Sequence, residues 1–484
     1  MVSPSVYRIL VVAFVALGSM TYGYCSSIVA TTLDQPSFVA YFSLDTRPDA
    51  TQLIGAVSGL FQAGGLFGCL SCLTSADWLG RRRALLITAL VTLVGGALQA
   101  GSVNIAMFLV FRFVTGLGIG SIVTLVPLYQ SEIVPPRIRG FLVGMHGILI
   151  CTGYSLASWV GLGFYFVNAS GAQWRLPLAI QCVPPLLLAL GIGFLPESPR
   201  WLLDQNRVEE ARRAFEAVRA DESDADVPDD AVESEFRAMQ AQIRSEHAQE
   251  HTVMDLFHSA AMRKRCLIGF AVLFGCQGTG TLVINNYGPL LYESLGFSSV
   301  AQLLIQCGWI SVCPIGNLIN SLLVDRVGRT RLLMVGFVGV ITALVGECVA
   351  MSIFDRTGAR SAANAAVFFL FWHIACFSST SDATSYIYAS EIFPTPLRAK
   401  GLAVSVSGLF VATIVFLQCG PTAFDAIGWK YYLVFLACSV VVLFFVWFYC
   451  PETRQLSLEE ISELFGDHAA VIEPEEIEIE AKSS

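Results

Sequence analysis

The chain holds 484 residues, of which 55% are hydrophobic and only 14% charged, whereas ordinary globular chains are roughly one-quarter charged. This excludes a soluble multidomain protein. Much of the acid behind the formal net charge of −9 lies in residues 221–250 and in the tail EPEEIEIE, single-sign stretches that read as solvated segments and give no sign of a nucleic-acid partner.

The first apolar block, about 6–30, has no obvious small-residue cleavage site and is followed by many more, so it reads as a membrane helix and not a removable signal. Blocks long enough to span the hydrocarbon core follow at 51–73, 84–102, 105–129, 141–166 and 174–195. The longest polar stretch, 196–266, reads as short amphipathic helices such as RVEEARRAFEAVR joined by the acidic run DESDADVPDD. Six more spans are expected at 267–292, 301–324, 332–353, 363–389, 400–422 and 429–449. All should be helical, because lipid leaves backbone N–H and C=O groups no other partners.

Nearly all of the fourteen cysteines lie in apolar blocks, and the close pair Cys69 and Cys72 has no second pair nearby. They read as small buried hydrophobes and not as a zinc or redox site, so no metal or cofactor is expected. No Ser/His/Asp or paired-His set stands at catalytic spacing, so an enzyme is not expected either.

With the N-terminus inside, the short inner loops carry ten basic residues (Arg81, Arg82, Arg83, Arg137, Arg139, Arg326, Arg329, Arg331, Arg398 and Lys400). The outer loops carry five: Arg47, Arg175, Arg356, Arg360 and Lys430. The asymmetry favours cytoplasmic termini and leaves Asn168 in an outer-face glycosylation sequon.

The halves echo each other. Asp77-Trp-Leu-Gly-Arg-Arg82 after the second span matches Asp325-Arg-Val-Gly-Arg329 after the eighth. Glu132-Ile-Val-Pro135…Arg139-Gly140 matches Glu391-Ile-Phe-Pro394…Arg398…Gly401. Parallel repeats at corresponding places are expected of a six-plus-six transporter. With Pro196-Glu-Ser-Pro-Arg200 after span six, Pro451-Glu-Thr-Arg after span twelve, and Arg112…Gly116 and Pro127…Tyr129…Glu132 in span four, the chain resembles the sugar porter family of the major facilitator superfamily. Ile427-Gly-Trp-Lys-Tyr-Tyr432 and Thr-Leu-Asp-Gln-Pro-Ser-Phe38 look like fungal members.

The resemblance implies an all-α membrane protein with twelve transmembrane helices in two six-helix pseudo-symmetric bundles. Residues 1–195 and 267–450 would form the bundles, 196–266 a cytoplasmic linker with short helices, and 451–484 an acidic cytoplasmic tail. It also implies a plasma-membrane carrier that works as a monomer, its partners being a small-molecule solute and the bilayer. A latch that helps set the balance of two states would fall on Arg81, Arg82, Glu132, Arg139, Glu197, Arg200, Asp325, Arg329, Glu391 and Arg398. Trp78 stands where the motif usually has Arg, which would weaken the first latch.

By the same resemblance the pocket would use Gln277, Tyr386 and Phe410, and Asn317 lies one turn beyond the matching position Cys313, on a similar face. Asn286 and Tyr287 stand as partial replacements, Asn285 behind them, before a Gly288-Pro289 break. Gly147, Leu282 and Cys313 occupy positions where the family has hydrogen-bonding amides. Proton-coupled members carry an Asp where this chain has Cys25, which favours facilitated diffusion over symport. Asp382, His146 and His373 are the substitute candidates for coupling, while Glu347 lies on a helix that is peripheral in this fold.

The leading expectation is alternating-access transport of a monosaccharide or polyol. The alternative is a less hydroxylated metabolite, exported from a fungal biosynthetic pathway. A non-transporting nutrient sensor is disfavoured by the short C-terminal tail.

Overall fold

A computed structural model of the chain describes residues 11, 14–133, 136–167, 169, 171–219, 233–234, 236–237, 239–241, 243, 253–394, 397–454, 456 and 458–466. Asn168 and the acidic tail lie outside the described residues, as does the side chain of Arg139.

The spans of the first half are α1 (Leu17–Leu33), α3 (Ala50–Leu79), α4 (Arg81–Ala100), α5 (Ile105–Ile133) and α6 (Pro136–Tyr165). A short helix, α2 (Pro36–Phe42), follows α1. The sixth span is split into α7 (Ala172–Ile180) and α8 (Val183–Gly191). Pro184 and Pro185 at that split bring no N–H, so the helical ladder is interrupted there. Two linker helices follow, α9 (Pro199–Asp204) and α10 (Val208–Arg219).

In the second half the seventh span is α11 (Ala260–Gln277) plus α12 (Thr281–Ser294). It is followed by α13 (Ser299–Val327) and α14 (Arg329–Thr357). The tenth span is α15 (Arg360–Thr380) plus α16 (Asp382–Glu391), and α17 (Arg398–Ile427) and α18 (Tyr432–Tyr449) complete the set. Among the described residues ten helical stretches are long and apolar enough to cross a bilayer. The last of them holds both α17 and α18, and Leu17–Leu33 makes the twelfth span. The protein is an all-helical integral membrane protein of two six-helix bundles.

Helices within a bundle approach closely where glycine removes the side chain. A Cβ on Gly23 would stand 1.9 Å from the Ile150 carbonyl oxygen, so α1 and α6 cross with their backbones almost in contact. The bundles meet along α3 with α17 and along α6 with α13. The linker docks through Trp201, whose Nε1 donates to the Asp77 carbonyl at 2.8 Å. Its helices share a small core of Trp201, Leu202, Ala211, Phe215 and Phe236.

Candidate functional site

The repeated sequence motifs build the same device twice at one end of the molecule. At the end of α3, Arg81 donates to both oxygens of Glu132, the shortest contact at 2.9 Å, and to Asp77 at 3.1 Å. At the end of α13, Arg329 donates to both oxygens of Glu391, at 2.8 and 3.0 Å, and pairs with Asp325 at 2.9 Å. In each motif the glycine turns with positive φ, 84° at Gly80 and 105° at Gly328, which a side chain would resist.

Each turn lies against a glutamate carboxylate that caps the next helix. Glu197 accepts from the Arg82 N–H, and Glu452 from the N–H groups of Arg329 and Arg331. These donors are the orphan amides at the starts of α4 and α14, where negative charge is also favoured by the helix dipole. Even the tyrosines correspond: Tyr129 donates to the Pro196 carbonyl and Tyr388 to that of Pro451. Every one of these contacts joins elements of one half or its adjoining segment. Arg200 is half-buried on α9, and Arg398 opens α17. Asp77 and Glu452 join the expected latch residues; the signal in the sequence is that they are the repeat counterparts of Asp325 and Glu197.

Three prolines inside helices of the second half free carbonyls four residues upstream, and each carbonyl is capped by a side chain. Pro289 frees Asn285, whose carbonyl accepts from Gln306 Nε2 at 3.0 Å. Pro421 frees Leu417, which accepts from the Tyr287 hydroxyl at 2.8 Å. Pro314 frees Ile310, which accepts from Ser155 of the first half at 3.2 Å. With its carbonyl capped, Pro289 stays inside α12, and the expected Gly288-Pro289 break is not found. The seventh span breaks instead at 278–280, where Gly280 takes φ +82°. The tenth span is interrupted at Ser381, so Asp382 opens α16.

Between the bundles lies a cavity of about 100 Å³. Its lining reaches from Asn285 towards Pro127, Ser390 and Leu402, near the motif-bearing ends of their helices. One part of the wall is apolar or aromatic, including Leu282, Trp309, Ile310, Ile374 and Phe377. Polar groups come from both halves. Asn317 Nδ2 donates to Asp382 at 2.8 Å and contacts Cys151 Sγ at 3.1 Å, and His146 Nδ1 is 2.6 Å from Ser19 Oγ. Four lining side chains also carry a buried polar atom with no hydrogen-bond partner: Gln277 Oε1, Asn317 Oδ1, Asn285 Nδ2 and His146 Nε2.

Of the residues expected at the site, Gln277, Asn317, Tyr386, Asp382 and His146 line this cavity. Asn286, Tyr287, Phe410 and His373 are not among its lining residues. Asn286 turns back to the Leu282 carbonyl, a one-turn bond along its own helix. Tyr287 is committed to Leu417, and the Phe410 ring packs over Gly65 between α17 and α3. His373 Nε2 is 3.2 Å from the Thr279 carbonyl, at the break in the seventh span. Asn285, ranked behind its neighbours from sequence, does line the cavity. So do Tyr22 and Tyr154, whose rings lie 6.1 Å apart across the Gly23 crossing. Gly23 was the one hint of that crossing in the sequence. Glu347, expected on a peripheral helix, is fully buried near Tyr292 and Tyr432 and away from the cavity lining.

Arg112 is wholly buried and stacks over Phe61 at 4.0 Å. It donates to the Cys25 carbonyl at 2.8 Å and to the Val57 carbonyl at 3.3 Å. Cys25 therefore meets this guanidinium through its backbone, where a side-chain carboxylate would have been a charged partner.

The end opposite the motifs is closed. Ser27 donates to Asn285 at 3.3 Å, and Thr51 to Asp425 at 2.8 Å, both pairs joining the two halves. Beyond the end of α1, burial and the Glu293 carboxylate raise the Asp34 pKa from 3.8 to about 7. Three outer-loop arginines are engaged elsewhere: Arg47 on Asp49, Arg175 on the Ala100 and Ser102 carbonyls, Arg360 on that of Gly296. Because the closed arrangement binds the Asp34 proton more tightly than a hydrated carboxyl would, it is favoured at low pH. That advantage is full below about 4 and is lost as pH rises through about 7. Hydrogen exchange of residues 27–34, corrected for its intrinsic pH dependence, should slow between pH 8 and pH 5. Asp34→Asn should remove the change; an unaltered pH response in that variant would refute the assignment.

The "Sugar (and other) transporter" family model matches residues 11–465. The "MFS-type transporter criB" of Aspergillus cristatus is 34% identical over 94% of this chain and 92% of its own length. The "High-affinity glucose transporter" of Kluyveromyces lactis is 28% identical over 96% of this chain and 86% of its own. Among solved structures, the proton:xylose symporter XylE bound to 6-bromo-6-deoxy-D-glucose superposes with a TM-score of 0.80 at 22% identity, covering 95% of this chain and 99% of that one. The last likeness speaks to the fold, and these relatives carry transporter names, not enzyme names. With the family match running from the first span to the last, this chain belongs to the sugar (and other) transporter family of the major facilitator superfamily.

Proposed function

We propose that this protein carries a small hydroxylated ring solute, a monosaccharide or polyol, across the membrane by alternating access. The observation that carries the reading is the set of unpartnered polar atoms on Gln277, Asn285, Asn317 and His146, all of which line the cavity. Buried polar groups are nearly always hydrogen-bonded, and solute hydroxyls would supply the missing partners while the Trp309 and Phe377 side takes the apolar face of a ring. The glucose transporter among its relatives supports the same class of cargo.

Facilitated diffusion is the mode we favour, since Arg112 is held by the Cys25 carbonyl and no titrating carboxylate faces it there. The latch residues Arg81, Arg82, Glu132, Arg139, Glu197, Arg200, Asp325, Arg329, Glu391 and Arg398 would act at the cytoplasmic end of a monomer in the plasma membrane. The loop-charge asymmetry supports that orientation. A second cargo, a less hydroxylated metabolite moved outward, is favoured by one observation: Gly147 and Leu282 add no hydrogen-bonding group to the cavity wall.

The test is uptake of labelled glucose, xylose and inositol into liposomes holding the purified protein, with and without a pH gradient. Saturable uptake of at least one compound, unaffected by the gradient, is expected. Inert behaviour towards all three, with the protein folded and inserted, would transfer the assignment to the less hydroxylated cargo, and gradient-driven accumulation would replace diffusion by symport.

A further inference from the structure

The proposed cargo leaves open what charge it bears, and the cavity is electrically one-sided. Asp382 opens a ten-residue helix, α16, where the free N–H groups and the dipole favour a negative side chain. Its Oδ2 accepts from Asn317 Nδ2 at 2.8 Å, and Cys151 Sγ stands 3.8 Å from the same oxygen. The hydrogen bond from Asn317 favours the ionised carboxylate, enclosure in the chamber opposes it, and a cation entering the cavity would tip the balance towards the ionised form.

No lysine or arginine lines the cavity among the described residues. The other titratable groups there are His146, Cys313 and the hydroxyls of Tyr22, Tyr154 and Tyr386, with Cys151 reaching Asp382 from α6. The nearest buried guanidinium on the first-half side, Arg112, is turned onto backbone carbonyls outside the lining. A carboxylate-bearing solute would thus enter a low-dielectric chamber that already holds one carboxyl and offers no cation to receive it, whereas an ammonium would supply the Asp382 carboxyl with the counter-ion that its enclosure otherwise denies it.

We propose that Asp382 is the charge-selecting residue of this cavity, so that the carrier accepts amine-bearing and neutral ring solutes and rejects their carboxylate counterparts. The selection rests on the transport reading above but not on sugar being the cargo. A pair of charges a few ångströms apart in such surroundings is worth more than in water, so discrimination of about tenfold or more between an ammonium and a carboxylate on the same ring is expected.

Two matched trios test it by direct binding to the purified full chain: glucosamine, glucose and glucuronate, and phenethylamine, 2-phenylethanol and phenylacetate. In each trio that binds, the ammonium should bind about tenfold or more tighter than the carboxylate, the neutral compound lying between. Asp382→Asn should compress the order to within about threefold, Asp382→Glu should keep it, and both variants should melt near the parent.

A carboxylate that binds as well as its amine overturns the proposal. So does an order that survives in Asp382→Asn, or failure of both amines to bind. If the phenyl trio shows the order and no sugar binds, the sugar reading fails while charge selection stands. If glucose binds and neither trio shows an order, charge selection fails while the sugar reading stands.

Discussion

Arg81→Ala is expected to destabilise the protein by about 3 kcal/mol or more, because it strands the Glu132 carboxylate in a buried site. The side chains of Arg81 and Glu132 are 10% and 9% exposed, so water cannot replace the lost partner. The repeat supplies an internal control. Arg329 is equally enclosed at 11%, but its partners Glu391 and Asp325 are 27% and 74% exposed. Arg329→Ala should therefore cost less, since its abandoned carboxylates can be hydrated. Adding Glu132→Gln to Arg81→Ala should recover part of the loss by removing the stranded charge. Thermal unfolding of the three variants in one detergent measures the order. Equal melting temperatures for Arg81→Ala and Arg329→Ala would show that burial does not govern these pairs.

Gly280→Ala should lower transport about tenfold or more and reduce stability. A left-handed conformation costs an alanine about 1–2 kcal/mol, and the φ here is +82°. A Cβ would also stand 2.5 Å from the Phe435 ring, forcing α18 away from the break in the seventh span. That break ends α11 at Gln277 and lets α12 start at a new angle, so straightening it would move Gln277, Thr281 and Asn285 together. Adding Phe435→Leu should relieve the clash but not the backbone strain, restoring stability more than transport. Pro289→Ala, at the position where sequence placed the break, should change stability by less than about 1 kcal/mol, because Gln306 already serves the Asn285 carbonyl. Normal transport by Gly280→Ala, or a larger defect in Pro289→Ala, would contradict this account of the seventh span.

The error about that break shows where sequence reasoning runs short. A Gly-Pro pair in an apolar run is a sound signal for a bend, yet whether the freed carbonyl destabilises the helix depends on what another helix brings to it. Gln306 lies on the next span and Tyr287 is 130 residues from the Leu417 carbonyl it caps. The same limit explains the neighbouring asparagines. Asn285 and Asn286 differ by one helical step of rotation, and only the packing of α12 against α1 and α13 decides which faces the cavity. Phe410 was expected at the solute, but Gly65 on α3 offers its ring a tighter place.

By itself, the sequence determined the membrane class, the number of spans and the paired motifs, because these rest on local matters: apolar length, the peptide bond's need for partners, and charge spacing around a turn. Arg81, Glu132, Arg329 and Glu391 stand out in the sequence as one set of repeated charges, while their pairing across 51 and 62 residues is a matter of helix packing. The tertiary structure alone decided which polar side chains remain unpartnered around the cavity. That is a question of rotation and of neighbours hundreds of residues away, and it is what placed Asp382, Asn317 and Cys151, from three different spans, within hydrogen-bonding reach of one another.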